Sequence, residues 1–135
     1  MTTMKIYHAI QAKGGKLISY RSYAGGLVAP GSDTNPWNYK FSWNPRNVVL
    51  AGQGGYAHFR RDGEEVSYSY DQLFARSERI EFRGEKVYDA YANRDSLKYE
   101  TLYQWGTIQT LLRGTIRAEG FCEGWNYILK LGMTD

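Results

Sequence analysis

Apolar and polar residues alternate along this chain with two different periods, and each change of period marks an element. Met4, Ile6, Tyr7 and Ile10 recur near helical spacing and Gly14 and Gly15 supply a stop, so the pattern predicts a helix over residues 3–13. From Lys16 to Ala24 the period shortens to two, with glycines on both sides, which predicts a strand. Gly25 to Asn38, GGLVAPGSDTNPWN, is rich in Gly, Pro, Ser, Asp and Asn and reads as a long irregular connection, a length that in compact domains is often functional. Asn44 can cap a short helix with Pro45 in its first turn, running through Val48, Val49 and Leu50 toward the glycines at 52, 54 and 55. Tyr56–Arg60 and Glu64–Tyr68, joined across Arg61-Asp62-Gly63, match a hairpin.

A helical turn at Asp71–Ala75 leads into two strand-like runs, Arg79–Arg83 and Lys86–Tyr91, separated at Gly84. Residues Asn93–Tyr103 read as a loop with a short helix, Thr107–Arg117 as a strand despite its glycine, and Glu119–Leu131 as a closing helix bearing Phe121, Trp125, Ile128 and Leu129. The sum is one α+β domain spanning 1–135, a mixed, largely antiparallel sheet with helices packed on one face.

Composition narrows the function classes. With 42% hydrophobic and 23% charged residues among 135, the chain is long enough to bury a core without staples and is not of disordered type. The net charge of +3 comes from interspersed residues, which argues against nucleic acid as a partner. No apolar run suggests a membrane span, the N-terminus does not read as a secretory signal, and the single cysteine, Cys122, has no partner within the chain. A cytoplasmic protein with Cys122 as a small buried apolar side chain is expected.

Candidate chemistry is sparse. His8 and His58 lie on different elements and Cys122 stands alone, so no metal site is expected. Gly52, Gly54 and Gly55 do not lead from a strand into a helix and are better read as a helix end and a hairpin entrance than as a dinucleotide turn. More informative are arginines beside turn-like segments: Arg46, Arg94 in ANRDS, and Arg113 and Arg117 in LLRGTIR. Planar forked guanidiniums match carboxylates, so several around one cleft would suit a multiply acidic ligand, whereas any one alone is usually a solvated side chain. Asp95 could pair near Arg94 and fix its loop, and Trp37, Tyr39, Phe41 and Trp43 read as packing before they read as a ligand platform.

Three segments carry a resemblance. SYAGGLVAPGSDTNPWNYKFSWNPRNVVL is similar to the Gly-Gly-Leu-x-Ala-Pro through Tyr-Lys-Phe-Ser-Trp stretch of saccharopine dehydrogenases, particularly the glutamate-forming saccharopine reductases. YANRDSLKYETLY resembles their Pro-Asn-Arg-Asp-Ser segment, and TLLRGTIRAEGF their Leu-Arg-Gly-Thr-Leu-Arg-Tyr-x-Gly-Phe segment, in the same order. Ala24 stands where a cysteine is common, Ala92 where proline is, and Pro45 and Asn47 flank the arginine.

The resemblance implies the substrate-binding domain of an oxidoreductase that uses NADP or NAD to convert saccharopine and water to glutamate and 2-aminoadipate 6-semialdehyde in lysine metabolism. It implies a nucleotide-binding domain before this region and a further helical segment after it, neither expected on this chain, so no cofactor is expected here. The parent is expected to be a homodimer. Arg46 is the expected carboxylate clamp, with Asn93, Arg94 and Arg117 as further contacts. Gly25 and Gly26 would admit close backbone approach, and Tyr39, Lys40 and Trp43 would wall the site. No catalytic residue is assigned; proton transfer is expected from the rest of the enzyme. Two other readings stand beside this one: a carboxynorspermidine dehydrogenase, and a stand-alone binding domain. Three or more arginines converging on the cleft would favour saccharopine.

Overall fold

The computed structural model describes residues 2–41, 44–50, 55–82, 84 and 86–134. In chain order the elements are α1 (Thr2–Ala12), β1 (Ser19–Ala24), a 3-10 turn at Pro30–Ser32, α2 (Pro45–Leu50), β2 (Tyr56–Arg61), β3 (Glu64–Ser69), α3 (Tyr70–Leu73), β4 (Glu78–Phe82), β5 (Lys86–Ala92), α4 (Lys98–Tyr103), β6 (Thr110–Ala118) and α5 (Phe121–Lys130). The sheet order is β3-β2-β6-β5-β4, antiparallel throughout, with β1 added parallel to β6.

Every element expected from periodicity is present, with ends moved by one to three residues. β1 and β6 begin late because their pairing starts at Ser19 opposite Thr110, just after Gln109 donates its N–H to the Ile18 carbonyl at 2.9 Å. The β2–β3 hairpin turns on two residues, Asp62 at φ +52° and Gly63 at φ +91°, the left-handed pair that a tight turn between twisted strands requires. In α2, the Asn44 side-chain oxygen accepts the Arg46 N–H at 3.0 Å, as a cap should.

β6 organises the molecule. It pairs with β1 at Thr110–Thr115, with β2 at Leu111 and with β5 at Gly114–Ala118, so β2 and β5 share, end to end, the edge opposite β1. The segment Asn93–Ser96 fills the junction between them. Asn93 N–H donates to the Arg113 carbonyl (2.8 Å) and Arg113 N–H to Ser96 Oγ (2.9 Å). On the other side, His58 N–H donates to the Arg94 carbonyl (3.1 Å) and Ser96 N–H to the His58 carbonyl (2.7 Å). Ser96 is fully buried, and each of these polar groups is satisfied by the wedge itself.

The β5–β6 register places Asp89 opposite Arg117 and Tyr91 opposite Thr115, and strand alternation puts all four on one face. α5 lies over that face: Cys122 N–H donates to Asp89 Oδ2 at 2.9 Å, and Phe121 and Trp125 stack one helical turn apart. These rings, with Phe59, Leu73, Phe74, Leu112 and Cys122, make one core onto which Val48 and Val49 of α2 pack. α1 packs separately, with Tyr7 and Tyr20 against the Trp105 ring and Thr3 hydrogen-bonded to Tyr20. A buried guanidinium, Arg60, joins β2 to Glu100 of α4 and to Glu65 of β3. Among the described residues no helix is long and apolar enough to cross a membrane.

Candidate functional site

A cavity of about 180 Å³ opens between the β5–β6 face and α2, α3 and α5. Its floor is apolar, made by Leu73, Phe74, Phe121 and Trp125, and its polar lining consists of Asn93, Arg94, Thr115, Arg117 and the phenols of Tyr39, Tyr56, Tyr70 and Tyr91. Among the described residues the lining holds two guanidiniums and no carboxylate.

Strand alternation explains much of this lining. From Arg117 the same face of β6 continues to Thr115, opposite Tyr91 of β5, and Asn93 follows just beyond the end of β5. Arg117 is held at several points: Nη1 donates to the Gly26 carbonyl at 3.0 Å, and the guanidinium lies over the rings of Tyr39 (5.1 Å) and Phe121 (5.4 Å). Its Nε is buried without a hydrogen-bond partner. Asp89, its cross-strand neighbour, has turned an oxygen to the α5 N-terminus, and among the described residues no carboxylate pairs with Arg117 or Arg94. The Tyr91 hydroxyl also interacts with the Arg117 side chain, so the guanidinium is fixed in place at the cleft wall.

Burial pushes the Tyr91 hydroxyl above its ordinary value, although the neighbouring Arg117 and Thr115 pull it down, and burial likewise raises Tyr70, whose oxygen accepts the Trp125 Nε1–H at 3.1 Å. Burial and the charge of Asp89 push the Cys122 thiol up to about 12, so it does not serve as a nucleophile. Among the described residues no group of three or more His, Cys, Asp or Glu side chains could hold a metal ion. The cleft thus sets two guanidiniums and four tyrosines over an apolar floor.

The family model described as saccharopine dehydrogenase C-terminal domain matches residues 1–135. The chain belongs to that family. It is 36% identical over 130 residues to the saccharopine dehydrogenase (NADP(+), L-glutamate-forming) of Saccharomyces cerevisiae, covering 96% of this chain and 29% of that protein. To the alpha-aminoadipic semialdehyde synthase of Arabidopsis thaliana it is 35% identical, covering 100% of this chain and 13% of that one. The solved apo structure of histidine-tagged saccharopine dehydrogenase (L-Glu forming) from Saccharomyces cerevisiae superposes with a TM-score of 0.88 at 35% identity, covering 99% of this chain and 30% of that chain. This member of the family thus spans less than a third of the length of these relatives.

Of the residues expected at the site, the fold brings Tyr39, Asn93, Arg94 and Arg117 together in the cleft. Gly26 contributes its carbonyl to Arg117. The close approach that Gly25 permits is to the protein's own β6, since a Cβ there would lie 2.0 Å from the Ile116 carbonyl oxygen. Lys40 and Arg46 are exposed and are not among the lining residues, although Val48 on the same helix is. Trp43, Gly52 and Gly54 lie outside the described residues. Arg113 is turned away onto the Tyr99 ring, its guanidinium donating to the Tyr99 hydroxyl at 2.7 Å. Among the described residues two arginines therefore converge, one fewer than the number expected for saccharopine.

Sequence reasoning missed Tyr91, Thr115, Tyr56 and Tyr70. For Tyr91 and Thr115 the signal was present, two positions before Asn93 and Arg117 on strands already identified.

The cofactor implied by the relatives' names finds no cradle among the described residues. A dinucleotide pyrophosphate sits on a helix N-terminus that follows a strand and a glycine turn. The nearest such junction, β6 to α5 across Gly120, already has its N-terminal amide at Cys122 bonded to Asp89.

Proposed function

We propose that this chain is the substrate-side domain of an NADP-dependent saccharopine dehydrogenase, and that its cleft holds carboxylates of saccharopine while the nucleotide is held by a separate part of the enzyme. The observation that carries the reading is the pair Arg94 and Arg117 in a cleft that no carboxylate lines among the described residues. A guanidinium already stacked and hydrogen-bonded has lost most of its side-chain freedom, so binding an anion costs little further ordering. The contribution of this domain is to fix the substrate, and hydride transfer tolerates little misplacement. No step of the redox chemistry is assigned to these residues. The working enzyme on this reading is cytoplasmic and homodimeric, with a third carboxylate-binding group supplied outside this chain.

The two-arginine count on its own favours a substrate with fewer carboxylates, such as carboxynorspermidine. The relatives' names weigh for saccharopine. Binding of each compound to this chain, followed by NMR titration, separates the two. In the same assay Arg117→Ala should weaken saccharopine binding about 30-fold, the worth of a charge-assisted contact in a partly desolvated cleft. Arg117→Lys should restore part of the loss, because the ammonium keeps the charge and loses the fork. Unchanged affinity in Arg117→Ala would remove the cleft from the proposal.

A further inference from the structure

We propose that His58, which does not line the cleft, is a positioning residue that holds Arg94 in its binding conformation; this rests on the reading of Arg94 as a carboxylate contact. Arg94 sits at φ +52°, a left-handed conformation that a residue with a side chain seldom adopts unless its surroundings impose it. His58 holds this segment by two sets of ties, one from its backbone and one from its side chain. The His58 N–H donates to the Arg94 carbonyl and the His58 carbonyl accepts from Ser96, so residues 94–96 are clipped to one residue of β2 from both sides. The side chain then closes the clip. Its Nδ1 lies 3.8 Å from Asp95 Oδ1 and its Nε2 lies 3.3 Å from Glu65 Oε2.

Neither carboxylate is loose. Asp95 Oδ1 also accepts the Leu97 N–H at 2.9 Å, and Glu65 is bound at 2.9 Å by the buried Arg60. As an imidazolium, with a proton on each nitrogen, the ring reaches two anchored carboxylates, Glu65 on β3 at hydrogen-bond distance and Asp95, the residue after Arg94, at ion-pair distance only. Without it, Asp95 has no side-chain tie to β2, and the strained Arg94 backbone can relax to an ordinary φ, which re-aims the guanidinium. Nothing else in the wedge explains why an imidazole, and not any strand residue, stands at this position: the two backbone hydrogen bonds need no particular side chain.

The test uses this chain with L-saccharopine as the probe, read by NMR. In His58→Ala, the strong intraresidue amide-to-Hα contact that marks a positive φ at Arg94 should be lost, and saccharopine affinity should fall about five- to tenfold. His58→Gln, which can still donate toward a carboxylate, should restore most of both. Combining His58→Ala with Arg94→Ala should bind no more weakly than Arg94→Ala alone, because both act on one contact. Should His58→Ala not fold, Asp95→Asn keeps the acceptor for the Leu97 N–H while removing the charge that faces His58, and carries the same expectation. The proposal is overturned if Arg94 keeps its positive φ in these variants, or if the losses from His58 and Arg94 multiply; a lowered melting temperature with unchanged Arg94 geometry would make His58 an ordinary sheet tie. The Arg94 backbone readout needs no ligand. If Arg94→Ala left saccharopine binding unchanged, the substrate reading of Arg94 would fail while that readout still decided the role of His58.

Discussion

The two walls of the cleft are held by different means. On one side, β6 is paired along both edges and α5 is pinned over it by Phe121, Cys122 and Trp125, all buried. On the other side, residues 25–41 are mostly exposed and cross to the first wall at a few points: Gly25 against Ile116, the Gly26 carbonyl on Arg117, and Trp37 on α5 at Gly124. The first wall carries the guanidinium with the unpartnered nitrogen, and the second supplies the carbonyl and the Tyr39 ring that aim it. Precision in such a site comes from the paired strand, and the loop can change shape without moving the strand.

The largest effect should come from the rigid wall. Phe121 stacks on Trp125, meets Tyr39 and Phe74, and lies under Arg117, so Phe121→Ala opens a cavity at the centre of the core. A loss of about 3–5 kcal/mol of unfolding free energy is expected in urea titration. A loss below ~1 kcal/mol would mean that α5 is no more firmly held than the loop.

The second effect is a pH dependence from the same wall. The folded Cys122 thiol is pushed up to about 12, from an ordinary 9.0. Its stabilising contribution is complete below the unfolded value, falls as the unfolded thiol ionises, and levels off above the folded value. Between about pH 9 and 12 stability should therefore drop by roughly 1.4 kcal/mol per pH unit for this group. The raised hydroxyls of Tyr70 and Tyr91 add in the same direction from about pH 10. Cys122→Ala should flatten the first part of the slope in unfolding experiments run across that range.

These contrasts also explain which features were legible in the sequence. Local signals were read correctly: the Asp-Gly turn, the Asn44 cap and the Phe121–Trp125 stripe depend on residues within a few positions of each other. The wedge at Asn93–Ser96 was not, because it exists only where β2 and β5 meet on one edge of β6, and that sharing is a property of topology. The buried Arg60 was illegible for a similar reason, since its partners Glu100 and Glu65 arrive from α4 and β3. Arg46 drew attention through its place beside the long loop, but of the residues of α2 it is Val48 and Val49 that pack on the core.

A smaller effect belongs to the loop wall. A Cβ on Gly124 would lie 2.3 Å from the Trp37 ring, so Gly124→Ala must displace that ring. Trp37 is 46% exposed and its loop has room to move, so the cost in global stability should stay near ~1 kcal/mol. The change should appear locally, as faster proteolysis within residues 25–41 and weaker saccharopine binding. If Gly124→Ala destabilised the fold as much as Phe121→Ala, the two walls would be one cooperative unit and the contrast between them would dissolve.

The smallest effect expected is at Arg46. Its backbone N–H is used in the Asn44 cap, its side chain is exposed, and the cleft lining includes Val48 of the same helix and not Arg46. A solvated guanidinium at a rim acts on a ligand carboxylate through screened charge, worth at most a few tenths of a kcal/mol, which is under about twofold in affinity. Arg46→Ala should therefore leave saccharopine binding within about twofold of the parent at 0.15 M salt and weaken it slightly more at low salt, where the Debye length is longer. Arg46→Lys should be indistinguishable from the parent, because without a fork-to-carboxylate contact the two cations are equivalent. The informative opposite is a loss of about tenfold or more in Arg46→Ala with no recovery in Arg46→Lys. That pattern requires a desolvated bidentate contact, and it would mean that the loop wall, and not the paired strand, is the side of the cleft that reads the substrate.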